Sequence, residues 1–332
     1  VDALGKLFRA RWARVIITVA LLGAAAFFFR DQLDFIAQGI AAVRTASLPW
    51  VVLTVVLCAL SFVAMAEVMV ELLRAGGVAV GRRQALALVL AANSWSNSLP
   101  GGPALSTVLQ FKVQRAWGAS VMVISWFVVL SGALSTLWLV LLGLGAVLLL
   151  GATFSLWSLL LVGAGMALLA FLVYWAANNP LFLERCAGLV LPVFNRLLRR
   201  TPDAGMAAVV KQIHQLQVVR LTFPRFASVS LMSLLNRLLD LASLWAAVMA
   251  VTSSPTLPGI TLAFLSAKIV GATGVTPGGL GPLEAALTAS LVATGLTAAT
   301  ALAAVLVYRM VSFILATAIG WVVYLVGLKE TQ

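Results

Sequence analysis

Apolar residues in this chain run for lengths that no soluble helix or strand requires, and each run is bounded by charge or turn residues. Crossing the ~30 Å hydrocarbon core of a bilayer takes about 20 apolar residues in a helix. Six segments are of that order: about 15 to 30, 48 to 73, 119 to 150, 154 to 177, 225 to 252 and 297 to 327. The third is long enough to tilt or kink. Two further apolar stretches, 84 to 99 and 259 to 275, each run into a Pro-Gly-Gly tripeptide and are followed by another short helical stretch. The pattern predicts an all-α integral membrane protein with about six full transmembrane helices and two broken, re-entrant hairpins.

Composition agrees and narrows the class. Of 332 residues 62% are apolar and 10% charged, and the mean hydropathy of +1.09 excludes a soluble enzyme core. The first apolar run, Val15 to Phe29, is followed by Arg30, Asp31 and Gln32 and not by a small-residue cleavage site, so it is expected to stay as an anchor. Lys+Arg 22 against Asp+Glu 10 gives +12, which in a membrane protein reports orientation. Lys6, Arg9, Arg11 and Arg14 precede the first span, Arg74, Arg82 and Arg83 follow the second, and Lys112 and Arg115 follow the first Pro-Gly-Gly. Residues 178 to 225 carry seven Arg or Lys, from Arg185 to Arg225 and with Arg196, Arg199 and Arg200 among them, against Glu184 and Asp203. All these mark the cytoplasmic side and put both termini inside. Arg outnumbers Lys and Ala is abundant, consistent with a bacterial protein in the cytoplasmic (inner) membrane.

The two tripeptides, Pro100-Gly101-Gly102 and Pro277-Gly278-Gly279, are 177 positions apart (277 − 100), close to half the chain. The same ungapped offset pairs Gly118 with Gly295 and Ser120 with Thr297. Repeat one covers about 15–150 and repeat two about 154–327 of a single polytopic domain, 1–332. With the expected topology the first hairpin enters from the cytoplasm and the second from outside, so the repeats are inverted, an architecture shared with many secondary transporters.

Pro-Gly-Gly ends one half-helix and lets another begin, freeing backbone groups inside the bilayer that protein, water or ligand must satisfy. In Thr276-Pro277-Gly278-Gly279-Leu280-Gly281-Pro282-Leu283-Glu284, Pro282 stands at a first helical position, whose positive dipole end suits a phosphate. Ionisable residues at membrane depth are few and costly. Arg237 and Asp240 lie at i and i+3 and can pair; Lys268 precedes the second break, Glu284 follows it and can cap its own helix, and Arg309 is in the last span. Asn93, Ser94, Ser96, Asn97 and Ser98 form a polar cluster entering the first break. Glu67 and Glu71 sit near a span end, within reach of water and of Arg74. Met206, Val209, Ile213 and Leu216 outline an amphipathic helix on the inner surface. Trp12, Trp50 and Trp321 stand where interface anchors would. Two cysteines, Cys58 and Cys186, with one histidine, His214, supply neither a zinc site nor a disulfide framework, and nucleic-acid binding has no supporting motif. No metal or cofactor is expected.

The run Thr276-Pro-Gly-Gly-Leu-Gly-Pro-Leu-Glu-Ala-Ala-Leu287, with Gly295 and Tyr308-Arg309, resembles the signature of the lysylphosphatidylglycerol synthase transmembrane, or flippase-like, family, and Asn93 through Gly102 is its first-half counterpart. The resemblance spans nearly the whole chain. It implies translocation of a polar-headgroup lipid by alternating access, with Pro277, Gly278, Gly279, Gly281, Glu284, Arg309 and the Arg237-x-x-Asp240 pair carried over as site residues. Asn93, Asn97, Pro100, Gly101, Gly102, Lys268 and Thr276 complete the expected substrate-binding set. Members often continue the first Pro-Gly-Gly with an acidic residue and an arginine, whereas Pro103-Ala104-Leu105-Ser106-Thr107 carries no charge. The expected partners are membrane lipids with an anionic or glycosylated headgroup, with no catalysis by the chain itself. An intramembrane glycosyl- or acyltransferase, or a non-catalytic partner of a lipid-synthesising enzyme, stands as the alternative.

Overall fold

The computed structural model describes residues 40–99, 101–149, 222–252, 256–272 and 276–327, and singly 165, 168 and 175. The expected span at 15 to 30, that at 154 to 177 apart from these three residues, the amphipathic stretch 206 to 216 and nearly all of the basic segment lie outside them. Everything regular in the described residues is helical. In chain order these are α1 (Leu48–Ala75), α2 (Arg82–Ser98), α3 (Gly102–Ala116), α4 (Val121–Leu149), α5 (Phe223–Met249), α6 (Leu257–Ala272), a 3₁₀ turn (Pro277–Gly279), α7 (Pro282–Ala293), α8 (Ala298–Arg309), a π-helical segment (Met310–Leu315) and α9 (Ala316–Gly327).

Proline sets several starts, because its missing N–H costs nothing in a first turn: Pro49, Pro103, Pro224 and Pro282 all stand there. Four units are long and apolar enough to cross a membrane: α1, α4, α5 and the continuous run α8 to α9. They coincide with four of the expected spans to within a few residues. Two differences are physical. The third expected span, thought able to kink, is one 29-residue α-helix. The last is interrupted, since Met310–Leu315 winds as a π-helix directly after Arg309.

The core divides between the halves. Val68, Met69 and Leu72 of α1 pack with Leu88 of α2, Val113 of α3 and Phe127, Leu130 and Leu134 of α4. Leu244 and Val248 of α5 pack with Ile260 and Phe264 of α6, Leu287 of α7 and Val305 of α8. The halves join where α5 lies along α1, α9 along α2 and α6 against α4. Large apolar side chains such as Val129, Ile269, Val322 and Val326 point outward, as a surrounding of acyl chains permits.

The 177-residue offset recurs in detail. Gly101 and Gly278 both take the left-handed conformation, with φ of 67° and 60°. Gly118 and Gly295 also have positive φ and close the same helix-ending pattern: Gly118 N–H donates to Arg115 and Ala119 N–H to Gln114, as Gly295 N–H donates to Val292 and Leu296 N–H to Leu291. Ser120 and Thr297 then accept, through their hydroxyl oxygens, the N–H groups of Val123 and Thr300. The element boundaries of α1 to α4 reappear, within three residues or so, in α5 to α9.

Candidate functional site

The second break is held by one buried ion pair. Glu284, in the first turn of α7, accepts the Gly281 N–H on Oε2 at 2.6 Å and the Arg309 Nε–H on Oε1 at 2.5 Å. Its capping role, expected from sequence, therefore coexists with a salt bridge. Arg309 also donates from Nη2 to the Gly278 carbonyl at 2.9 Å and lies 4.2 Å above the Phe313 ring. Both charged side chains are about nine-tenths buried or more. One guanidinium thus ties the turn, the start of α7 and α8 together. Thr276 Oγ1 donates to the Leu280 carbonyl and closes the turn upon itself.

The two breaks touch. A side chain on Gly278 would meet the Phe313 ring and, at 3.0 Å, the Asn97 carbonyl, so the end of α2 abuts the second turn directly. Asn97 Nδ2 donates to Thr317 Oγ1 at 3.1 Å and Ser94 Oγ to the Thr317 carbonyl at 2.9 Å, which fixes α2 to α9. Asn93 Nδ2 is buried with no partner. Gly101 and Gly102 form the first turn itself, and Pro100 lies outside the described residues.

A second charged group joins α5, α6 and α8. Asp240 accepts Lys268 Nζ at 2.6 Å on Oδ2 and the Tyr308 hydroxyl at 3.0 Å on Oδ1. Lys268 also sits 4.9 Å over the Phe264 ring. The pairing of Asp240 with Arg237 expected from their spacing is not what forms: Arg237 turns to α4 and donates from Nη2 to Ser135 Oγ. Neighbouring helices offered each residue a closer partner than its own helix could. Arg237 Nε is buried with no hydrogen-bond partner.

Other expectations are also corrected. Glu67 pairs with Arg82 at 2.6 Å, while Arg74 donates to the Val80 carbonyl. Trp321, expected as an interface anchor, stacks on Trp95, meets Tyr324 edge-on and donates to Ser98 Oγ at 3.0 Å. Sequence reasoning left Tyr308, Ser135, Phe313 and Thr317 out of the site. Tyr308 had a usable signal, as one of three tyrosines in the chain and the neighbour of Arg309; a serine among apolar residues, such as Ser135, has none.

The family model for the lysylphosphatidylglycerol synthase TM region matches residues 12–320. The chain belongs to that family. The match takes in α1 to α8 and the start of α9, including both breaks and both ion pairs, and ties the fold to membrane-lipid function. No curated protein matches the chain.

Proposed function

We propose that this member of the family translocates a phosphate-bearing phospholipid or glycolipid between leaflets by alternating access. The observation that carries the reading is the charge balance inside the membrane helices. Lys268 is neutralised by Asp240 and Arg309 by Glu284. Arg237, near the middle of α5, hydrogen-bonds a serine, and the one carboxylate among the described residues that acts on it, Asp240, has its oxygens taken by Lys268 and Tyr308. Its Nε–H is buried without an acceptor, which costs about 1–3 kcal/mol. A lipid phosphate supplies the missing acceptor, and arginine binds phosphate through paired N–H groups.

The architecture supports movement. The arms of the two hairpins are 12 to 17 residues long, so each spans roughly 18–25 Å, less than the hydrocarbon core. Re-entrant hairpins from opposite faces, six full crossings, cytoplasmic termini in a bacterial inner membrane and two inverted repeats form one consistent reading, and exchange of conformation between such repeats alternates access. We favour transport over transferase chemistry because Asp240 and Glu284 both accept hydrogen bonds from cations, which leaves neither poised as a general base. The partners are then lipids. Leaflet-resolved assays in proteoliposomes, with phosphatidylglycerol, aminoacyl-phosphatidylglycerol and a phosphate-linked glycolipid, with and without a proton gradient, test this. Movement of at least one is expected. Folded protein that moves none, but turns over a glycosyl or acyl donor or co-purifies with a lipid-synthesising enzyme, overturns it.

A further inference from the structure

An apolar groove of about 290 Å³ runs between α4 and α5, with Trp138 on one wall and Phe223, Phe226, Ser230, Leu231 and Leu234 on the other. The α5 residues recur every three or four positions, so they form one stripe along the helix. The next position of that stripe is Arg237. On α4, Ser135 stands one turn before Trp138, and it accepts the Arg237 hydrogen bond. The guanidinium thus lies one turn beyond the last residues that line the groove, Leu234 and Trp138. Two donors on this side, Arg237 Nε and Trp138 Nε1, are buried with no acceptor among the described residues.

We infer that the groove seats one acyl chain of a membrane phospholipid whose phosphate lies at Arg237. The occupant must be apolar along the stripe and an anionic acceptor at its end. A neutral helix or a second apolar protein surface would satisfy the stripe and leave both donors unpaired, at the full cost of burying them. Fourteen residues separate Phe223 from Arg237, or about 21 Å along α5. With Arg237 near the middle of its span, the tail lies along the N-terminal half of α5 while the headgroup is deep in the membrane. Leu231 is more than half exposed, so the stripe reaches the protein surface. The inference deepens the translocation reading by naming where the lipid enters.

The test is fluorescence quenching of the full chain in proteoliposomes by lipids brominated on the acyl chain. The Trp138 signal is isolated as the difference between wild type and Trp138→Phe. Chain-brominated phosphatidylglycerol is expected to quench it several-fold more than chain-brominated diacylglycerol at equal mole fraction. Arg237→Gln should abolish that preference and Arg237→Lys keep most of it, each variant being first shown monodisperse and helical. Equal quenching by both lipids means surrounding lipid only and overturns the proposal. So does an unquenched Trp138, or a preference that survives Arg237→Gln. Because quenching reads occupancy and not movement, a chain that flips lipid without this preference refutes the groove alone, and one that seats lipid without moving it refutes translocation alone.

Discussion

The first break turns through Gly101 and starts α3 with Pro103-Ala104-Leu105-Ser106-Thr107, none of them charged; the second turns through Gly278 and starts α7 with Glu284, locked to Arg309. At the 177-residue offset, Arg237, Asp240, Lys268, Glu284 and Arg309 correspond to Leu60, Val63, Ala91, Thr107 and Gly132. The backbone devices are shared and the charges are not. A left-handed glycine and a proline in the first turn of the next helix suffice to break and restart a helix, so both halves keep them. Buried ion pairs are not needed to break a helix, as the first half demonstrates. Among the described residues the second half holds the buried charges, while the first break carries neutral polar side chains such as Ser94, Asn97 and Ser98.

The largest expected effect breaks the second lock. Glu284→Gln leaves Arg309 buried without its carboxylate and is expected to destabilise the protein by about 3–5 kcal/mol, while at the counterpart position Thr107→Ala should change stability by no more than about 0.5 kcal/mol, since Thr107 is exposed. Denaturant unfolding in detergent, followed by circular dichroism, measures both. Equal losses would mean that the two breaks are held alike.

Next come the turning glycines. Alanine at either position meets a positive φ, worth about 1–2 kcal/mol, but at Gly278 it also strikes Phe313 and the Asn97 carbonyl, whereas around Gly101 there is open space. Gly278→Ala should therefore lower the thermal midpoint clearly more than Gly101→Ala. A smaller loss follows from Tyr308→Phe, which removes one hydrogen bond to Asp240 and should cost about 0.5–1.5 kcal/mol, with Lys268 still holding the carboxylate. Smallest and most nearly equal are the caps: Ser120→Ala and Thr297→Ala should each cost about 1 kcal/mol, and a large difference between them would argue against equivalent roles in the two halves.

Much of this was legible in the sequence because membrane helices advertise themselves by length alone. The spans later seen as α1, α4, α5 and α8 to α9 needed only apolar runs, and the breaks needed only Pro-Gly-Gly. Glu284 as a cap was readable from its spacing after Gly281. Partner choice was not. Arg237 and Asp240 look paired at i and i+3, yet Ser135 and Lys268 reach them from other helices, and contacts between residues 102 and 28 positions apart leave no local pattern. The π-helical turn after Arg309 was equally silent, since Met310 to Leu315 is as apolar as any α-helix. What it does is set Phe313 beneath the guanidinium.

The most direct test of the central claim is lipid transport by Arg237→Gln beside wild type, in proteoliposomes with equal amounts of folded protein. The variant should keep both ion pairs and the helical content, yet lose transport of phosphate-bearing lipid by tenfold or more, about the 1.4 kcal/mol or greater that one charge-assisted hydrogen bond supplies. Undiminished transport by the folded variant would contradict the account, because the guanidinium at the middle of α5 would then have no part in holding the lipid.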